Sequence, residues 1–353
     1  MRHPSHSSFL SAGSNTPAST NARRPHLLLS LAIAFVFAFT AVLAQAKDYT
    51  RIVVFGDSLS DTGNMAHLYA EKFNGLRFPG TVADYTDGRF TDGFDTSPAA
   101  QKYFGVWIEQ FAASMPSHPQ VKNSLDGGTN YSYAFAFTGG GTTLFYPDDD
   151  VTFSVTIDNM GQQITDYLGT HPKINNSTLF VVWGGANDLI NATSPADIIN
   201  AAIHETLDIQ RLVEAGATQF LVLNLPPLGL TPRLNGSPAT SVPATAAAML
   251  FNSWLATGLS VIHDFYPGRH VAIFHVDTFS LFNQIVAAPG KFSLANFTTP
   301  SQGDFAVDPD TYLFWDDIHP TTRGHNILAI TALKAVSSPQ CDSEDMPSCA
   351  AAH

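Results

Sequence analysis

Hydrophobic residues along the chain gather into short unbroken runs, each followed by turn-forming polar or small residues, with stretches of helical spacing between them. Ile52, Val53, Val54 and Phe55 form the first such run in the body of the chain. With no polar alternation, the run predicts a strand covered on both faces. TNYSYAFAFTGGG, STLFVVWGGAND, TQFLVLNLPP and the segment His270 to Val276 repeat the pattern of strand, mostly leading into turn. Helical spacing covers Ala99 to Ala113, Ala196 to Ala215, Val242 to Phe265 and Thr321 to Val336, whereas Gly75 to Asp95 reads as loop. Strands alternating with helices predict a three-layer α/β/α sandwich around a mostly parallel sheet of about five strands. Parallel strands deliver their carboxyl ends to one rim, which is where open α/β sheets bind ligands.

The ends of the chain change the domain picture. Arg23 and Arg24 precede an apolar run from Leu27 to Leu43, and Ala44-Gln45-Ala46 has the small-x-small form of a cleavage site. Residues 1–46 therefore read as a secretory leader, and the apolar run is at the short limit for a bilayer span. The expected mature protein is extracellular, or periplasmic in a bacterium, with no membrane span after cleavage. Residues 47–336 are expected to form one catalytic domain and 337–353 a tail. That tail holds both cysteines, Cys341 and Cys349, which are expected to form one local disulfide. A net charge of −13 argues against nucleic acid or anionic membrane surfaces as partners. Sequons stand at Asn175, Asn176, Asn191 and Asn296.

Candidate chemistry lies at the strand ends. Gly56-Asp57-Ser58 breaks the first strand, and FWDDIHPTT near the other end of the chain carries Asp316 and His319 three residues apart. At that spacing a carboxylate can accept from one imidazole nitrogen and leave the other free to take a proton from a serine hydroxyl. A helix-capping turn would use the same residues, as it would at Asn187-Asp188, where the Asn187 amide is also able to donate to an oxyanion. Gly139-Gly140-Gly141 offers backbone N–H groups that a substrate can approach closely. Asp57 and Asp61 read as turn supports. Among the aromatics, Tyr131, Tyr133, Phe135 and Phe137 read as ordinary strand packing, leaving Phe145 and Tyr146 as substrate contacts. The thirteen histidines are scattered, without H-E-x-x-H, and Asp148-Asp149-Asp150 reads as a solvated loop, so no metal site is expected. Neither G-x-S-x-G nor a nucleotide-binding G-x-G-x-x-G in its strand-helix setting occurs.

GDSLSDTGN at 56–64, FAFTGGG, GAND at 185–188 and DDIHP at 316–320 together resemble the ordered blocks of the GDSL, or SGNH, lipase/esterase family. The likeness extends to GRFTDG at 88–93, VWIEQFA at 106–112 and LVLNLPPLGLTP at 221–232. Within the family it is similar to the secreted phospholipase and acyltransferase group. The resemblance implies a cofactor-free serine esterase working through an acyl-enzyme, with Ser58 as nucleophile, His319 as base and Asp316, rather than Asp317, orienting the imidazole. It implies an oxyanion hole made from the Ser58 N–H, the Asn187 side chain and a glycine N–H, assigned to Gly139 with Gly140 as the alternative. Substrates consistent with it are small-molecule, lipid or acetylated-carbohydrate esters, with acyl transfer to another alcohol as an alternative outcome. A non-catalytic binding protein on the same scaffold is the reading from a different class.

Overall fold

The computed structural model describes residues 48–80, 84–86, 88–93, 102–146, 154–174 and 177–337. All belong to one compact unit, Ala44–His353. The leader, the tail with Cys341 and Cys349, the sequons at Asn175 and Asn176 and the Asp148–Asp150 loop lie outside the described residues.

The chain runs β1 (Arg51–Gly56), α1 (Asn64–Lys72), α2 (Trp107–Ala113), β2 (Thr142–Phe145), β3 (Val155–Asp158), α3 (Met160–Thr170), β4 (Thr178–Trp183), α4 (Ala186–Asn191) and α5 (Pro195–Glu214). It continues through β5 (Gln219–Leu223), α6 (Pro238–Phe265), β6 (Ala272–Val276), α7 (Thr278–Ala287), β7 (Asn296–Pro300), β8 (Tyr312–Phe314) and α8 (Thr322–Ser337). The central sheet has the order β1-β4-β5-β6 with every pairing parallel. Alternate side chains of these strands feed two cores. Ile52, Val54, Leu179 and Val181 pack on one face with Trp107, Phe111, Phe282 and Leu328 from α2, α7 and α8. Val53, Phe55, Phe180 and Val182 pack on the other with Ile164, Ile209, Leu212 and Phe251 from α3, α5 and α6. A sheet buried on both faces needs no polar alternation, which is why its strands read as continuous apolar runs.

The sheet has four strands instead of about five. The expected fifth, TNYSYAFAF, does run beside β1: Val54 N–H donates to the Thr129 carbonyl at 3.1 Å and Tyr131 N–H to the Val54 carbonyl at 2.8 Å. It makes only a parallel bridge, Val54 with Asn130, before the chain turns away. Asn130 and Ser132 bend it locally, since the Asn130 side chain accepts from Ser132 N–H and donates to the Ser60 carbonyl. The helix expected from Ala99 begins only at Trp107. Gly105 has φ +71° and Val106 is extended, so the backbone entering α2 is not helical. Helix α6 is long and apolar enough to cross a bilayer, but its Phe251, Leu255 and Ile262 stripe is spent on the core shared with α5.

Candidate active site

The carboxyl ends of the neighbouring parallel strands β1 and β4 lie side by side at one rim of the sheet, and the candidate residues collect there. Gly56 closes β1 because a Cβ at that position would strike the Trp183 carbonyl of β4. Its own N–H and carbonyl are held by the Gln163 side chain from α3, at 3.0 and 2.9 Å. Asp57 follows and accepts from Leu59 N–H at 3.0 Å, an Asx turn that lifts Ser58 to the rim. Asp61 accepts from the N–H groups of Gly63, Asn64, Met65 and Ala134, tying the serine loop to the segment beside β1. Both aspartates thus support turns; burial pushes each up to about 6.

His319 approaches from the far end of the chain. Its Nε2 lies 2.8 Å from Ser58 Oγ and its Nδ1 2.6 Å from Asp316 Oδ2. An ionised carboxylate only accepts, so the proton sits on Nδ1 and Nε2 is left to take one from the serine. Asp316 Oδ1 accepts from the N–H groups of Ile318 and His319, while Tyr85 donates its hydroxyl to Oδ2 at 2.8 Å. Burial alone would raise the Asp316 carboxyl. The charge and hydrogen bonds of His319, with the backbone donors, reverse that effect and hold it well below the usual carboxylate range. Asp317 points elsewhere, into a bidentate pair with Arg233 at 2.9 and 3.0 Å. The GRFTDG segment fixes the histidine arm: Thr91 donates to the Pro320 carbonyl at 3.0 Å, Asp92 accepts from Thr322 at the start of α8, and the Phe90 ring lies 4.9 Å from the His319 ring. His325, one turn into α8, is fully buried beside the Phe90 backbone, and burial, then the charge of His319, push it down to about 3.

Asn187 stands at the start of α4 and donates its amide to the Ala136 carbonyl at 3.0 Å, while neighbouring Asp188 accepts from both the N–H and the hydroxyl of Thr138. Gly139 is not among the residues that line the pocket with Ser58, Asn187 and His319. It flanks His204 on α5, and its carbonyl accepts from Gly161 N–H at the start of α3. The position beside Ser58, Asn187 and His319 is taken by Phe135, which the sequence placed in ordinary packing. Its ring stacks on Phe145 with centroids 4.2 Å apart, so the anticipated contact residue Phe145 backs the wall. The pocket they open is narrow, with a cavity volume of about 80 Å³, and its remaining lining includes Leu59, Leu228, Phe282, Phe314, Ile318 and Leu328. Arg233 stands at the same pocket. Tyr85, Gln163 and Arg233 went unrecognised in the sequence, where each is an isolated polar residue whose partner lies far along the chain.

Behind the Asn187 turn, the Glu205 carboxyl is fully buried beside the Gly184 backbone, with no cation paired to it among the described residues. Burial, and then the charges of Asp188, Asp208 and Asp57, push this group well above the ordinary range. Folding therefore takes up a proton, and the stability this contributes is fullest below the unfolded value of about 4.3 and is lost as pH rises through the folded one. Glu205→Gln, a neutral isostere, is expected to gain thermal midpoint relative to the wild type between about pH 5 and 8. Calorimetry that finds the same difference across that range would contradict the assignment.

The fold and the site define an α/β protein whose sheet rim carries a hydrogen-bonded Ser–His–Asp row. Residues 52–331 match the model of the GDSL-like lipase/acylhydrolase family, and the chain belongs to that family of hydrolases. It is 28% identical over 343 residues to an uncharacterised protein in the trpE-trpG intergenic region of Pseudomonas putida, covering 88% of this chain and 52% of that one. Over 314 residues it is 26% identical to the thermolabile hemolysin of Vibrio parahaemolyticus, covering 82% and 65%. Identity to the phosphatidylcholine-sterol acyltransferase of Aeromonas hydrophila is 28% over 264 residues, covering 72% and 68%. The chain thus spans about half to two-thirds of the length of these relatives.

Proposed function

We propose that the protein is a secreted serine esterase that cleaves carboxylic esters carrying an apolar acyl group. The observation that carries this is the unbroken row from Asp316 through His319 to Ser58, at 2.6 and 2.8 Å, opening on a pocket with apolar walls. Ser58 Oγ attacks the ester carbonyl carbon while His319 Nε2 takes its proton, and the carbonyl electron pair moves onto oxygen. Asn187 donates to that oxyanion through the amide hydrogen not engaged by Ala136. The electron pair returns, the C–O bond to the alcohol breaks, and His319 protonates the departing alkoxide. Water, deprotonated by the same nitrogen, then releases the acid and restores Ser58. Asn187→Ala is expected to lower kcat by about 10²–10³ with little change in KM, which steady-state kinetics would measure.

The walls favour an acyl chain over an acetyl group on a polysaccharide. Leu59 and Ile318 present part-exposed apolar surface to the pocket, backed by the buried Leu228, Phe282, Phe314 and Leu328, and each methylene of an acyl chain buried against them contributes about 0.8 kcal/mol. Relatives named hemolysin and phosphatidylcholine-sterol acyltransferase accord with this choice. The test is a ladder of p-nitrophenyl esters from acetate upward, run beside acetylxylan and phosphatidylcholine. The expected result is kcat/KM rising from acetate to butyrate and beyond. Preference for acetylxylan over every longer ester would reject the proposed substrate class. Export depends on the leader read in residues 1–46, and detection of the intact leader on extracellular protein would reject its cleavage.

A further inference from the structure

Phe135 has φ +67°, in the left-handed region that a bulky residue rarely occupies. Aromatic contacts surround it: the stack on Phe145, Phe90 perpendicular at 5.6 Å, and Phe78 at 6.2 Å. The amides around it are all committed. Ala134 N–H goes to Asp61, Ala136 N–H to the Tyr133 carbonyl, Phe137 N–H to Asn159 and Thr138 N–H to Asp188. Phe135 N–H alone in this run has no acceptor among the described residues. The residue lines the pocket with Ser58, Asn187 and His319, and the Asn187 amide is anchored on the carbonyl of the very next residue. An unspent donor on a backbone held in a strained conformation, beside a side-chain donor at the same pocket, is the arrangement that preorganised oxyanion binding requires.

We propose that the backbone N–H of Phe135, and not that of a glycine in Gly139–Gly141, donates to the oxyanion alongside Asn187. The inference rests on Ser58 being the nucleophile. A glycine reaches this backbone conformation without steric cost; here the stacked aromatic rings impose it on a phenylalanine, and the same ring becomes a wall of the pocket. When the Ser58 Oγ–carbon bond forms, the carbonyl π pair becomes the oxyanion electron pair, the hydroxyl proton passes to His319, and the Phe135 N–H meets charge that was absent before. Gly139 stands against His204 and α3 and does not line this pocket, whereas Phe135 does.

Phe135→Pro would delete the donor, but proline cannot adopt a positive φ, so loss of activity in that variant would not separate chemistry from folding. The test instead labels the full chain with ¹⁵N-phenylalanine and, in a parallel sample, ¹⁵N-glycine, and treats each with a p-nitrophenyl alkylphosphonate. Attack by Ser58 forms an Oγ–P bond, expels p-nitrophenolate and leaves a phosphoryl oxygen where the oxyanion would lie; intact mass reports the adduct. The Phe135 amide resonance, assigned by its loss in Phe135→Leu, is expected to move downfield on phosphonylation while those of Gly139, Gly140 and Gly141 stay in place. Gly139→Ala and Gly140→Ala are expected to leave kcat unchanged. An adduct with an unmoved Phe135 resonance would overturn this inference and leave the esterase reading standing. Failure to form the Ser58 adduct would overturn both.

Discussion

Ser58→Ala is expected to lower kcat for a p-nitrophenyl ester by roughly 10⁵ to 10⁶-fold, the loss seen when a serine nucleophile is removed from a complete relay. Among the described residues the nearby hydroxyls are otherwise engaged, that of Thr231 at the pocket donating to the Leu228 carbonyl at 2.7 Å. Ser60 is fully buried and accepts from Trp107 Nε1 at 3.0 Å, whereas Ser58 Oγ meets His319 Nε2. The oxyanion donors and the pocket remain in the variant, so a residual rate above the uncatalysed reaction should persist with KM little altered. Thermal stability should barely change, because the hydrogen bond this hydroxyl makes is to the imidazole. Activity close to the wild type in a folded Ser58→Ala would mean that another nucleophile operates.

The second large effect is expected at Asp316. Asp316→Asn replaces an obligate acceptor with a group that can donate, so the imidazole loses the partner that fixes its proton on Nδ1, and kcat should fall by about 10⁴-fold. Asp317, adjacent in sequence, does not rescue it: its carboxylate is engaged bidentately by Arg233 and its carbonyl accepts from Arg233 N–H at 2.7 Å. Asp317→Asn is the matching control. It disturbs a half-exposed ion pair, which contributes at most about 1 kcal/mol, and should change kcat only slightly. Equal losses in the two variants would remove the distinction between the neighbouring carboxylates.

Much of this architecture was legible because burial on both faces leaves a simple mark. The apolar runs at Ile52–Phe55, Leu179–Trp183 and Phe220–Leu223 needed no tertiary information to be read as sheet. The residues of the row were legible too, since Asp316 and His319 stand at a spacing where one turn joins them. The missing parts have a common cause. Residues 155–170 form half of a hairpin and α3, yet no assignment was made there, because strand β3 is four residues long and half exposed and α3 draws its stability from packing under β1. Gln163, within it, acquires meaning only beside Gly56. Phe135 was missed for a different reason: alternation along its segment reads as ordinary strand packing, and its place at the pocket follows only from tertiary packing with Phe78, Phe90 and Phe145.

The hydroxyl and its proton acceptor are 261 residues apart. During synthesis the serine turn emerges early, but the imidazole is held in place by contacts to the beginning of α8, which leaves the ribosome last among the described helices. A partly translated chain therefore holds the serine turn without its imidazole partner, and the row is complete only once the start of α8 is in place.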